Sequence, residues 1–377
     1  MKILQLSSAS TFGGGERYLI DLTNELSARG HDVYVVARPH CALLHHLNLA
    51  PERIQLLPLR NALDVPSARA LAKFVKTHEI DIVHAHMARD YPLAAYAARA
   101  NAASRFVVTR HVLFPLNRLH RRTLAKAGRV IAVSNAVANQ LRQHRIVKEE
   151  QIAVVHNGVN LSRFETAAQK FDRSKFLQDN HLPEQALLIG SVGELRTLKR
   201  HDDFIRAAAE TSVRFPETHF IVAGIDSSAT GVVRQRLENI AAQAGVSAQM
   251  HFPGWLENIE ELLLALDVFV SASETESFGL AIAEAMAAGT PVVATETEGA
   301  QEVVARDETG LLVPIGNIQQ LANAMATLIA DRDKRTLMGA RARDRVAERF
   351  SISRMVDRIE QIYLATLATT HQSLLPE

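Results

Sequence analysis

Short β-type apolar runs alternate with amphipathic helical stretches along this whole chain, and that alternation restricts the fold to parallel sheets covered by helices on both faces. Runs at 2–7, 32–37, 81–86, 105–109, 129–134 and 152–156 read as strands, with helical periodicity at 16–29, 67–78 and 88–101. After a polar stretch at 163–183 the pattern restarts, with strands expected at 186–192, 219–223, 250–252, 267–271 and 291–295. A chain of 377 residues exceeds what one hydrophobic core usually supports. Two doubly wound, Rossmann-like domains are therefore expected, at 1–168 and 169–350, with a last helical segment at 351–377. Ligands of such sheets bind beyond the carboxyl ends of the strands, so the expected site is a cleft across which the two domains face each other.

Composition narrows the class. The single cysteine, Cys41, excludes a disulfide framework and any multi-cysteine metal site, as suits a reducing compartment. No run of about 18 apolar residues exists, and Met1-Lys2-Ile3-Leu4 leads straight into a strand pattern, so a cytoplasmic protein is expected. The formal net charge of +1 conceals an asymmetry: residues 1–170 carry 23 Lys and Arg against 12 Asp and Glu, and the remainder is acidic. A basic half suggests an anionic partner, either a phosphorylated acceptor or an anionic membrane surface. Nucleic acid is ranked lower, because no helix-turn-helix, RNA-binding aromatic signature or zinc-finger spacing accompanies the charge.

Three segments carry chemistry. After the first strand, Gly13-Gly14-Gly15-Glu16 opens a helix; the glycines let a ligand approach the backbone, and the helix start offers N–H groups to an anion. Neither the dinucleotide fingerprint nor a phosphate-binding loop with its Lys-Ser/Thr is present, which disfavours a redox cofactor or ATP. A plain tight turn explains the loop equally well when it is taken alone. The second segment holds Glu276 and Glu284 around Phe278-Gly279-Leu280, with a helix expected to start near Phe278. Glu284 then lies about two turns inside it, at most ~12 Å along the backbone from Glu276. A diphosphate over the amides of Phe278, Gly279 and Leu280 would leave the carboxylates to accept from hydroxyls on either side, which describes a nucleotide diphosphate-sugar. The plainer alternative is a dipole-complementing Glu276 and a solvated Glu284, though almost wholly apolar neighbours weaken it for Glu284. The third segment, 192–200, contributes Arg196, Lys199 and Arg200 at a strand's carboxyl end, where cations would neutralise a departing diphosphate.

Taken together these motifs resemble family 4 of the retaining glycosyltransferases, enzymes of the GT-B fold. The likeness runs through Gly13-Gly14-Gly15-Glu16, His84-Ala85-His86, Thr109-Arg110-His111, His156-Asn157-Gly158-Val159-Asn160, the 193–199 loop, Glu276 to Glu284, Gly289-Thr290-Pro291, Gly299 to Glu302 and Thr309-Gly310. The resemblance implies that Glu276 contacts the donor sugar, Glu284 the ribose, and the amides of Phe278, Gly279 and Leu280 the sugar and diphosphate. It assigns the diphosphate to Lys199, the approach from the first domain to Gly14 and Gly15, and a place beside the transferred sugar to His111. The last helix is expected to return to the first domain. One position departs from the family pattern: Glu194 stands where Arg is usual, and Arg196 is expected to supply the missing charge.

No metal or other cofactor is expected. Asp331-Arg332-Asp333 reads as a helix cap and linker, and His84 with His86 as packing residues, since no third ligand is in evident spacing. Leu116 to Arg129 reads as a basic amphipathic segment, with Leu116, Leu119 and Thr123 on one stripe. It suits peripheral contact with the cytoplasmic face of an inner membrane, or an ordinary surface helix. The expected activity is transfer of a sugar, with UDP, GDP and ADP open as carriers, to a cell-envelope glycan or lipid-linked acceptor such as lipopolysaccharide core. The alternatives are an epimerase or small-molecule glycosyltransferase of the same fold, and a non-catalytic nucleotide-binding subunit.

Overall fold

The structure, a computed structural model, describes residues 1–114, 116–228 and 230–368. The chain forms two compact units, one of residues 1–158 with the helix Ile352–Ala368 and the other of 159–351. The division thus falls at Gly158 and not at 168: the helix Leu161–Lys170 belongs with the second unit, where Arg163 pairs with Glu260. Residues 369–377 of the expected last segment lie outside the described residues.

The first unit carries a seven-stranded parallel sheet of β1 (Lys2–Ser7), β2 (Asp32–Ala37), β3 (Ile54–Leu56), β4 (Ile82–Ala85), β5 (Arg105–Arg110), β6 (Arg129–Ala132) and β7 (Ile152–Val154). Its order is β3-β2-β1-β4-β5-β6-β7. The second unit's sheet has six strands: β8 (Leu187–Val192), β9 (Thr218–Ala223), β10 (Met250–Gly254), β11 (Val268–Ser271), β12 (Val292–Thr295) and β13 (Gly310–Val313). They run in the order β10-β9-β8-β11-β12-β13. In both sheets the order reverses beside the first strand, at β1/β4 and β8/β11, the place where ligands of such sheets bind. The sequence pattern omitted β3 and β13. β3 is three edge residues with two side chains exposed, so it has no apolar run to detect.

The helix Ile352–Ala368, although it follows the second unit in the chain, belongs to the first unit's core. Met355, Val356, Ile359, Ile362 and Tyr363 recur at helical spacing and pack on Ile3, Ile82, Val107 and Ile131 of the first sheet. Burying each such side chain contributes about 1.5–3 kcal/mol before entropy is counted. On its polar side Asp357 and Glu360 meet Arg29 at 2.6 and 2.7 Å, and Glu360 meets His31 at 2.6 Å. Among the described residues no helix is long and apolar enough to cross a membrane.

Candidate donor and sugar site

In the second unit the reversal point brings together the loops that follow β8 and β11. The Glu274 amide donates to the Leu198 carbonyl at 2.9 Å, tying one loop to the other. Across this tie Lys199 Nζ lies 2.6 Å from Glu276 Oε1, with both side chains mostly buried. The same oxygen accepts from Ser273 Oγ at 2.8 Å, and Thr295 Oγ1 holds the Ser273 carbonyl at 2.5 Å. Behind Lys199 sits buried His201, its pKa pushed down to about 4 by burial and then by the Lys199 charge.

The helix after Glu276 is Leu280–Ala287, so it starts two residues later than expected. Gly279 precedes it at φ +93°, a left-handed conformation that strains any other residue, and its carbonyl accepts the first helical bond, from Ala283. The amides with no carbonyl a turn behind them are consequently Gly279, Leu280, Ala281 and Ile282, which overlap the expected set at Gly279 and Leu280. Phe278 instead points inward and packs edge-on against Phe350, ring centres 5.5 Å apart. Glu284 is the fifth helical residue, one turn and not two from the start, roughly 6 Å along the axis. Its carboxylate, still largely buried, lies 3.8 Å from Arg163, which also pairs with Glu260. Gly299 backs the loop: a Cβ there would meet the Glu276 carbonyl at 2.6 Å and the Phe278 nitrogen at 2.7 Å.

Arg196 does not join this group. It forms a 3.2 Å ion pair with Glu194, both side chains roughly half exposed. The cation expected to replace the missing family arginine thus faces the glutamate that took its place.

The first unit gathers Gly14, Gly15 and His111. The helix starts at Gly14, and His111, in the loop after β5, lies 3.9 Å from the position a Gly15 Cβ would occupy. Tyr18 meets the His111 ring edge-on at 4.7 Å. Burial, followed by the Arg110 charge, pushes the His111 pKa down to about 3, so the ring is neutral at physiological pH. His84 and His86 pack beside it, with ring centres 4.2 Å apart. Among the described residues no three His, Cys, Asp or Glu side chains are grouped to hold a metal ion.

Two family models match the chain, Glycosyltransferase Family 4 over residues 12–163 and Glycosyl transferases group 1 over residues 172–345. The chain belongs to glycosyltransferase family 4. This family 4 glycosyltransferase is 28% identical over 377 residues to the lipopolysaccharide core biosynthesis glycosyltransferase LpsE of Rhizobium meliloti, covering 95% of this chain and 96% of that one. It is 27% identical over 376 residues to N-acetyl-alpha-D-glucosaminyl L-malate synthase of Bacillus anthracis, covering 94% of each. Its fold superposes on Anabaena HepE, solved in complex with UDP and glucose, with TM-score 0.83, 25% identity, and coverage of 97% of this chain and all of that one. The architecture is GT-B.

Some of the glycosyltransferase's site residues gave no sequence signal. Arg163 reaches Glu284 from a helix more than a hundred positions earlier in the chain. Ser273 was visible only as a serine three residues before Glu276. Asp331 does cap the helix Arg332–Arg349, accepting from the Lys334 amide at 2.9 Å. The basic segment is shorter than the expected stripe. Its helix spans Arg118–Leu124, Thr123 is buried while Leu119 is exposed, Arg129 belongs to β6, and Pro115 lies outside the described residues.

Proposed function

We propose that this enzyme moves a sugar from a nucleotide diphosphate-sugar to a hydroxyl of a cell-envelope glycan or lipid-linked acceptor, with retention of anomeric configuration. The observation that carries the reading is the 2.6 Å Lys199–Glu276 pair beside the start of the helix Leu280–Ala287. A cation and unpaired helical amides accept a diphosphate, while a carboxylate alongside accepts from sugar hydroxyls. Glu276 serves the sugar, Glu284 the ribose and Lys199 the leaving diphosphate, on which Gly14 and Gly15 of the first unit close, and His111 serves the transferred sugar. Arg196 adds charge to the diphosphate only by leaving Glu194. In the reaction the bond from the anomeric carbon to the phosphate oxygen breaks. The acceptor oxygen bonds to that carbon on the same face, and its proton passes to the departing phosphate. The protein supplies position and charge without a nucleophile or a metal.

HepE was solved with UDP and glucose, which favours UDP as carrier and a hexose as cargo. LpsE favours a lipopolysaccharide-core acceptor. The malate synthase relative supports a second reading, a small anionic acceptor, and the basic first half suits it equally. Exposed Phe114 and Leu119 beside Arg118, Arg121 and Arg122 fit peripheral contact with an anionic cytoplasmic membrane face.

A screen of nucleotide sugars against both acceptor classes, with Glu276→Ala as control, tests the proposal, and proton NMR of the product reads the anomeric configuration. Retention with a glycan or lipid-linked acceptor supports it; an inverted product overturns the mechanism. A chelator is expected to leave the rate unchanged. Vesicle binding that is absent, or indifferent to salt, removes the membrane contact.

A further inference from the structure

His111 is the last member of a mostly buried hydrogen-bonded chain that starts at Thr109 of β5. Thr109 Oγ1 lies 2.7 Å from His84 Nε2, and His84 Nδ1 lies 2.6 Å from the Tyr363 hydroxyl. Gln5 Nε2 donates to that hydroxyl at 3.4 Å, while Gln5 Oε1 lies 2.7 Å from His86 Nε2. His86 Nδ1 is then 3.3 Å from His111 Nε2. The alternating side chains of one strand bring His84 and His86 to one face, and Tyr363 reaches them from the helix Ile352–Ala368.

A neutral imidazole has one donor and one acceptor nitrogen, so fixing the role of one nitrogen in a hydrogen-bonded imidazole pair fixes the tautomer of both rings, whereas the Tyr363 and Thr109 hydroxyls can donate and accept at once. With the Gln5 oxygen towards His86, His86 carries its proton on Nε2 and accepts at Nδ1. His111 must then donate from Nε2, which leaves its Nδ1 as an acceptor. We infer that Gln5, acting through His86, is a positioning residue that sets the tautomer of His111 and so presents His111 Nδ1 as an acceptor for a hydroxyl of the bound sugar. The inference rests on the reading of His111 as a sugar contact.

The surroundings suit a neutral relay. Burial holds His84 and His111 at about 3 and His86 well below the ordinary imidazole value, and it holds the Tyr18 and Tyr363 hydroxyls protonated. Arg110 is the charged side chain acting on His111. A carboxylate at position 5 would draw a second proton onto His86, whereas the glutamine amide cannot.

The test is long-range proton–nitrogen correlation NMR of the imidazole rings in the full-length nitrogen-15-labelled protein at pH 7, paired with steady-state kinetics. The wild type is expected to show His111 protonated on Nε2 alone. Gln5→Leu is expected to mix the two His111 tautomers and to lower kcat at least fivefold with donor KM within twofold. Tyr363→Phe, which keeps the packing and removes only the hydroxyl, is expected to do the same to a smaller degree, so the test survives a Gln5→Leu protein that fails to fold. His111 protonated on Nδ1 in the wild type, or a tautomer indifferent to both substitutions, overturns the relay. A tautomer that shifts with kcat unchanged overturns the sugar contact and leaves the relay standing.

Discussion

The two sheets share a strand order through six strands, but the loops at and beside their reversal points hold different chemistry. In the second unit the loops after β8 and β11 meet through a charge pair, Lys199 with Glu276, beside a helix start. In the first unit the residues after β4 and β5 meet through neutral imidazoles, His86 with His111 at 3.3 Å. Strand order therefore fixes where a site forms and leaves its chemistry to a few loop side chains. Charge suits a diphosphate, which carries charge throughout the reaction. Neutral donors and acceptors suit sugar hydroxyls, which are recognised by geometry.

The difference breaks most visibly at the charge pair. Glu276→Ala and Lys199→Ala are each expected to lower kcat/KM by roughly 10²–10³, the effect of removing a group aimed at charge in the transition state. His111→Ala is expected to lower kcat by a smaller factor, about tenfold, with nucleotide affinity unchanged. Steady-state kinetics over a donor series separates the three; equal losses would erase the contrast.

Scaffold comes next in size. Gly299→Ala puts a methyl group against the Glu276 carbonyl and the Phe278 nitrogen, an overpacking expected to destabilise the second unit by about 1–3 kcal/mol. Denaturant unfolding followed by hydrogen exchange checks whether that loss is confined to residues 159–351.

Acid should act on the first unit through three buried imidazoles, and on the second through His201. The folded pKa values of His84, His86 and His111 lie below their unfolded value near ~6.5, so the unfolded chain binds more protons as pH falls, and stability is lost. The three rings touch one another and so lose stability as one coupled group as pH falls below ~6.5. Asp90, pushed up to about 7 by burial, has the opposite sign, because its folded carboxyl keeps a proton that the unfolded one releases above ~4. Three imidazoles outweigh one carboxyl, and urea midpoints for the first unit are expected to fall between pH 6.5 and 5. The smallest effect belongs to Arg163→Gln, which frees Glu284 from a cation 3.8 Å away and is expected to change donor KM two- to fivefold.

The parallel sheets, the last helix and the Glu276 to Glu284 segment were legible because each rests on local periodicity or on spacing within one loop. The start of the helix after Glu276 was misplaced because Phe278 looks like a helical apolar residue. Only the Gly279 backbone shows that the turn is still left-handed there. Arg163 beside Glu284, and Gln5 and Tyr363 behind His86, were illegible for another reason: their partners are far along the chain, and one-dimensional spacing says nothing of such contacts. Glu194 was legible as a departure, but its pairing with Arg196 was not, since that contact depends on the loop's backbone conformation and on the rotamers of two long side chains.

The proposed division of labour is that Lys199, not His111, holds the diphosphate. Calorimetric titration of wild type, Lys199→Ala and His111→Ala with UDP tests it most directly. Affinity is expected to fall at least tenfold for Lys199→Ala and to stay within twofold for His111→Ala. Unchanged binding by Lys199→Ala, with a large loss for His111→Ala, would contradict it.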